Sequence, residues 1–470
     1  MAGHADHTRD EERTKGLRGT MPRPIKITML GAGSSFTPRL MNDILRIPGA
    51  DRGEIALVDI DRRRLGMMHQ LITRLVHRTG RAAGWTVTAS PHRRSVLRGT
   101  DYIVNCIEVS GVQCVRWDND IPLAYGIDQC IGDTIGPGGL FKALRTVPVF
   151  LEILRDAERL CPRALVLNYT NPMSMMCLAA GRTSSMRVVG LCHSVQGTSH
   201  LLAGRAGVPY DEMEWECAGI NHLAWFTTLR HQGRDLYPVL KAKARRDLAG
   251  KPADPKDGWD LVRKDMMLQF GAFITESSGH LSEYLPYYRK RRDLLKRYAR
   301  PRYDGGSRFY ATEWPKWRKW ADRDRAEMVA GRKDMTWERS WEYASWIIEA
   351  REKDAPFRIH GNVMNTTRGA GGLISNLSEN GCVEVACMID RNGVNPTRVG
   401  RLPAQMAAIC ESNMRMFDLG AEAAIRRSRE HAIHALMLDP LCAAVCAPAE
   451  LREMGDKLFR AERAFLPGYR

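Results

Sequence analysis

No stretch of this 470-residue chain stays apolar for the roughly 18 positions that a membrane-spanning helix requires, so no membrane partner is expected. The opening stretch, MAGHADHTRDEERTKGLRGTMPRP, lacks the apolar core of a secretory signal. It is polar and charged, so residues 1–22 are expected to form a disordered extension, with Met21 as an alternative start. The twelve cysteines include no CxxC pair, which argues against a disulfide framework and fits a reducing cytoplasm. Internal repeats are absent too. The basic excess is large, with a formal net charge of +16, but runs such as Arg289-Lys290-Arg291-Arg292 accompany no aromatic recognition motif. Nucleic acid is therefore not the expected partner, although the charge leaves an acidic substrate open. What remains is 44% apolar and 26% charged, the balance of a globular enzyme with a sizeable core.

The first half alternates apolar strands with helical periodicity. Strands are expected at 25–30, 54–60, 85–90, 101–107, 164–169 and 187–191, and helices at 36–46, 61–79 and about 139–160. In the second of these helices Leu65, Met68, Leu71, Ile72 and Leu75 share one face. This rhythm predicts an α/β fold, with an N-terminal Rossmann-like doubly wound sheet of the lactate and malate dehydrogenase type over residues 23–200. Residues 201–470 lose the rhythm. They carry long helical stretches, a tryptophan-rich region and a strand-like run at 381–389, and are expected to form a mixed α+β domain for catalysis and oligomerisation.

Gly31 and Gly33 lie between the first strand and the first helix, where backbone amides and a helix N-terminus cradle a pyrophosphate. Phe36 replaces the third glycine of the usual fingerprint, so the motif alone is weak. Asp59 at the end of the second strand strengthens it. A carboxylate there bonds the ribose hydroxyls and repels the additional phosphate of NADP, which favours NAD. Ser34, Ser35 and Asn105 complete the expected cofactor contacts.

Polar clusters then follow the C-terminal ends of successive strands, the edge where open α/β sheets bind ligands. They carry Asp133 and Thr134, Asn168 and Asn171, and Cys192 and His193; Asn221 and His222 follow about 30 residues later. An isolated Cys192–His193 pair is more often a buried thiol beside a surface imidazole. A thiolate with an imidazole could alternatively hold zinc, by residue type alone.

Together the segments GAGSSFTPRL, GDTIGPGG, NYTNPM, GLCHSVQGT, GINH and SEYLPYY, with the pattern GLISNL…GCVEVACMID, resemble glycoside hydrolase family 4. These are NAD-dependent, metal-requiring glycosidases that depart from two-carboxylate hydrolysis. The likeness spans residues 23 to about 445, and the Cys-His-Ser form is most similar to the α-galactosidase branch. The resemblance implies Cys192 and His222 as ligands of a divalent metal, usually manganese, and Tyr284 as the base at C2. It also implies contacts of Asn171 and Asn221 with the sugar. The phosphoglycosidase branch has an aspartate as general acid where this chain has His193, so His193 or Asp133 is left for the acid, and His193 also for substrate binding. Tyr284 could instead belong to an aromatic stripe with Tyr287 and Tyr288, and Glu276 and His280 are reserve bases. The implied chemistry is oxidation at C3, deprotonation at C2, elimination and water addition on an α-galactoside. An α-glucoside or a uronide (α-glucuronide or α-galacturonide) stays open as the substrate. A lactate- or malate-type dehydrogenase is the rival enzyme. The expected assembly is a cytoplasmic homodimer or homotetramer.

Overall fold

The computed structural model describes residues 15–252, 254, 258–335, 337–367 and 371–470. Most of the expected N-terminal extension lies outside the described residues. Leu17 and Met21 pack against the core, and Arg23 bridges Asp101 and Glu352.

The first half follows the apolar pattern closely. Six strands, β1 (Ile25–Leu30), β2 (Gly53–Val58), β3 (Trp85–Ser90), β4 (Tyr102–Asn105), β5 (Leu165–Asn168) and β6 (Arg187–Leu191), run parallel in the order β3-β2-β1-β4-β5-β6. This is the doubly wound arrangement expected from the sequence, and it turns between β1 and β4, where such sheets hold a dinucleotide. β4 and β5 are buried along their whole length, as strands covered by helices on both faces must be. The helix Arg62–Arg78 starts where the Asp61 carboxylate accepts the amides of Arg63 and Arg64. It buries Leu65, Met68, Leu71, Ile72, Leu75 and Val76 on one face. At about 1.5–3 kcal/mol per buried aliphatic side chain, that face outweighs the modest helix propensity of the segment.

The second half does not build a separate sheet. β7 (Met213–Ile220) and β8 (Leu223–His231) form a hairpin, with β9 (Arg234–Asp235) at the far end of β8 and β10 (Phe273–Ile274) beside it. β11 (Phe357–Met364) pairs antiparallel with β6, and a small ribbon of β12 (Thr366–Thr367) and β13 (Gly371–Gly372) follows. β14 (Cys382–Asp390) pairs with β11, with β7 and with β15 (Gly393–Pro396). One mixed sheet of thirteen strands thus runs from β3 to β10. The 23-residue helix Ala404–Arg426 packs back onto helices Gly136–Leu160 and Met173–Thr183 of the first half, where Gly420 lets Met175 and Leu140 approach. Among the described residues no helix is long and apolar enough to cross a membrane.

Candidate active site

The glycine turn after β1 is shaped by close backbone approach. Gly31 has φ +72°, and a Cβ there would lie 2.4 Å from the Cys106 carbonyl oxygen. The Asp59 carboxylate accepts the Gly33 amide at 2.7 Å and the Asp61 amide at 2.8 Å, so it holds the turn from the end of β2. Ser34 and Ser35 follow on the approach to helix Thr37–Leu45. Asn105, at the end of β4, is fully buried and donates to Asn168 and Thr170.

The strand ends beyond this turn carry the reactive groups. Cys192 follows β6 directly, and His193 precedes helix Ser194–Ala206. Asn221 and His222 form the two-residue turn between β7 and β8. β10 pairs with β8, and the next residue, Thr275, exchanges hydrogen bonds with Ala224, which sets Glu276 beside His222. Ligand atoms of Cys192, His222 and Glu276 all lie within 4.8 Å of one another. His222 and Glu276 both have left-handed backbones, φ +63° and +69°. Non-glycine residues held in this region cost about 1–3 kcal/mol each and tend to mark functional sites.

Burial pushes the His222 imidazole down to about 4, which leaves a lone pair available at neutral pH. Burial would raise Glu276, but His222 and His280 face it and the Tyr303 hydroxyl donates to it at 2.7 Å, which together hold it down to about 2. Burial, with Glu384 and Glu276 nearby, pushes the Cys192 thiol well up. A thiolate, a neutral imidazole and a carboxylate form a donor set suited to a divalent ion. Near them His222 Nδ1, Asp133 Oδ1 and His280 Nδ1 are buried without hydrogen-bond partners. Such orphaned atoms fit a site built for further ligands. Loading a metal onto the thiol must release a proton.

Asp133 and Asn171 join this cluster, with Asn171 Nδ2 donating to Asp133 Oδ2 at 3.1 Å. Burial alone would raise Asp133, but the buried Lys142 ammonium, 3.7 Å away, helps hold it below the usual carboxylate range. Tyr284 is fully buried, its ring centroid 6.2 Å from that of His222; burial and the Asp133 charge raise its phenol well above the usual range. His193 faces outward, its ring 64% exposed and 3.8 Å from Glu342. The sequence-based candidates Cys192, His222, Asn221, Asn171, Asp133 and Tyr284 therefore converge. Asn105 is engaged by protein groups, and His193 lies at the rim.

Two carboxylates outside the sequence-based site hold its loops in place. Glu283, next to Tyr284, accepts the consecutive amides of Cys130, Ile131 and Gly132, which fixes the loop carrying Asp133. Asp260 accepts Arg205 and Arg263 and also the Ser278 hydroxyl, so it joins the helix behind Cys192 to the segment after Glu276. Glu384 on β14 was equally absent from the expected set. Burial pushes it up to about 8, and Asn362 donates to it at 3.1 Å. A lone acidic residue within the apolar run GCVEVACMI was its only sequence signal.

Asp260 gives a stability prediction. Its folded pKa, drawn down to about 2 against burial by Arg263 and Arg205, lies below its ordinary value of 3.8. The stabilisation is therefore complete above the unfolded value and is lost as pH falls through about 4 towards 2. Asp260→Asn should lower stability by about 2 kcal/mol at pH 7, and the gap to wild type should close at low pH. Denaturant unfolding at both pH values checks this, and a gap that persists at low pH would rule the ion pairs out as its source.

Comparison with known proteins places the chain. Residues 26–208 match the Family 4 glycosyl hydrolase model, and residues 217–442 match the Family 4 glycosyl hydrolase C-terminal domain. An alpha-galactosidase of Bacillus subtilis is 37% identical over 449 residues, 95% of this chain and 100% of that protein. An alpha-galactosidase of Rhizobium meliloti is also 37% identical, over 94% of this chain and 89% of its own length. The fold matches that of a 6-phospho-alpha-glucosidase from gut microorganisms, solved with NAD and Mn2+, at a TM-score of 0.77 and 21% identity over 95% of this chain and 100% of that one. With relatives this similar along nearly their whole length, the chain belongs to glycoside hydrolase family 4.

Proposed function

We propose that this glycosidase hydrolyses α-galactosides, with NAD and a divalent metal, preferably Mn2+, as its cofactors. The observation that carries the reading is the convergence of Cys192 and His222 beside a doubly wound nucleotide crevice. The identity to two alpha-galactosidases supports the sugar. Gly31, Gly33, Ser34, Ser35 and Asp59 would hold the dinucleotide, with Asn105 shaping the floor between β1 and β5. Cys192 and His222 would hold the metal. A bound NAD would supply a hydride acceptor for oxidation at C3 and return the same hydride after water addition, and a bound divalent metal would supply the Lewis acidity that makes the C2 hydrogen acidic.

The chain's own groups do the rest. Tyr284 is assigned the C2 proton, on the support of its burial beside His222 and Asp133. Asn171 and Asn221 present amides to the sugar hydroxyls. Asp133 is held ionised by Lys142, so it is a poor donor to a leaving group near neutral pH, and the acid role falls to His193. The His193 side chain is also largely exposed, which leaves it open to bind substrate. A cytoplasmic location is supported by twelve cysteines that are all unpaired. A homodimer or homotetramer would cover the exposed Trp317 and Trp320, three residues apart on one helix.

The test is a panel of nitrophenyl α-galactoside, α-glucoside and α-galacturonide with NAD, Mn2+ and a thiol reductant. Release of nitrophenol from the galactoside should predominate and should vanish when NAD is omitted or EDTA added. Preference for the galacturonide would replace the sugar assignment. NADH accumulating on a 2-hydroxy acid, with no glycoside cleaved, would replace the reading with the dehydrogenase one.

A further inference from the structure

We infer that Glu276 is a third protein ligand of the metal, so that the site offers sulfur, nitrogen and oxygen donors from three separate segments. The inference rests on the metal reading above, which by itself assigns only Cys192 and His222. The geometry around the Glu276 carboxylate carries it. Oε1 is taken by the Tyr303 hydroxyl at 2.7 Å, and His280 Nε2 lies 3.9 Å from the same oxygen. Oε2 faces His222 Nε2 at 3.6 Å. That separation is too long for a hydrogen bond. It is within the span of two donors each about 2.0–2.2 Å from a shared ion. His222 is not held through its other nitrogen, because Nδ1 has no partner. The imidazole and the carboxylate thus converge without bonding each other, and the Cys192 sulfur closes the same triangle.

The backbone shows the same arrangement. His222 and Glu276 are 54 positions apart, yet each lies in a left-handed conformation beside the same strand, β8. The zipped pair Thr275–Ala224 fixes Glu276 immediately after β10, where a one-residue slip would turn its side chain to the other face. Tyr303 then orients the carboxylate in the way that outer hydrogen bonds commonly orient metal ligands. Charge agrees as well. A thiolate and a carboxylate together neutralise a divalent ion, and the added oxygen moves a cysteine–histidine pair towards harder ions such as Mn2+.

The experiment measures Mn2+ binding directly on the metal-stripped full chain, by the electron paramagnetic resonance signal of free Mn2+ and by calorimetry, with no substrate present. Glu276→Gln keeps the shape and removes the charge. It should weaken Mn2+ binding at least tenfold while leaving NAD affinity within twofold. Tyr303→Phe leaves the carboxylate but frees Oε1, and should weaken Mn2+ binding several-fold; it also reads the same contact if Glu276→Gln fails to fold. Mn2+ affinity equal to wild type in both variants, with Cys192→Ser still losing the ion, overturns the third ligand and leaves the cysteine–histidine reading intact. A wild-type chain that binds no Mn2+ overturns the metal reading itself.

Discussion

Hydrolysis of a nitrophenyl α-galactoside in D2O should leave deuterium at C2 of every released galactose. Ordinary glycosidases pass through an oxocarbenium-like state at C1 and never break the C2–H bond. An oxidation and elimination route must break it, and the proton that returns comes from a group in exchange with solvent. Tyr284 is the group assigned to this transfer, and its burial beside His222 keeps it close to the sugar ring's expected place. Tyr284→Phe should therefore slow C2 exchange while leaving NAD affinity unchanged. Proton NMR or mass spectrometry of the product reads the outcome as all or nothing. Galactose fully protonated at C2 after complete turnover would eliminate the redox route, whatever the cofactors do to the rate.

The second large effect belongs to Cys192. Its thiol is half-buried, 3.2 Å from the Ser194 hydroxyl, in a setting where burial and two nearby carboxylates resist ionisation. Only a strong positive charge makes the thiolate favourable there, which is what a divalent ion provides. Cys192→Ser should abolish activity, because losing Lewis-acid polarisation costs about 4 kcal/mol or more, on the order of a thousandfold in rate. Mild oxidation should do the same, and reductant should restore the oxidised enzyme but not the variant. Full activity of the serine variant in the presence of EDTA would remove Cys192 from the metal's ligands.

The two halves of the molecule differed in what their sequences disclosed. β1, β3 and β6 were legible to the residue: β1 and the end of β6 are largely apolar and buried, while β3, a half-exposed edge strand, shows itself by β-branched residues between Gly84 and Pro91. The face of helix Arg62–Arg78 was legible by its period. In the second half β10 is two residues long, too short to show any period, and it exists because β8 offers it an edge. Glu276 could be named as a reserve base from its closeness in sequence to Tyr284. Its approach to His222 depends on that short strand and on a left-handed turn, and neither leaves a periodic trace. Glu283 and Asp260 are harder still, since their partners are backbone amides and arginines distant in sequence.

On the proposed reading, the ladder from β1 through β4 and β5 to β6 would act as a ruler between redox partner and ion. Each step is a backbone spacing of about 4.8 Å, so the nucleotide turn at Gly31 and the thiol at Cys192 stand roughly 14 Å apart across the sheet, a separation written in amide hydrogen bonds. His193, exposed at the rim, can change towards other sugars without altering that interval. On that reading substrate range and redox geometry would be separate inheritances, one carried by the rim and the other by the pleat.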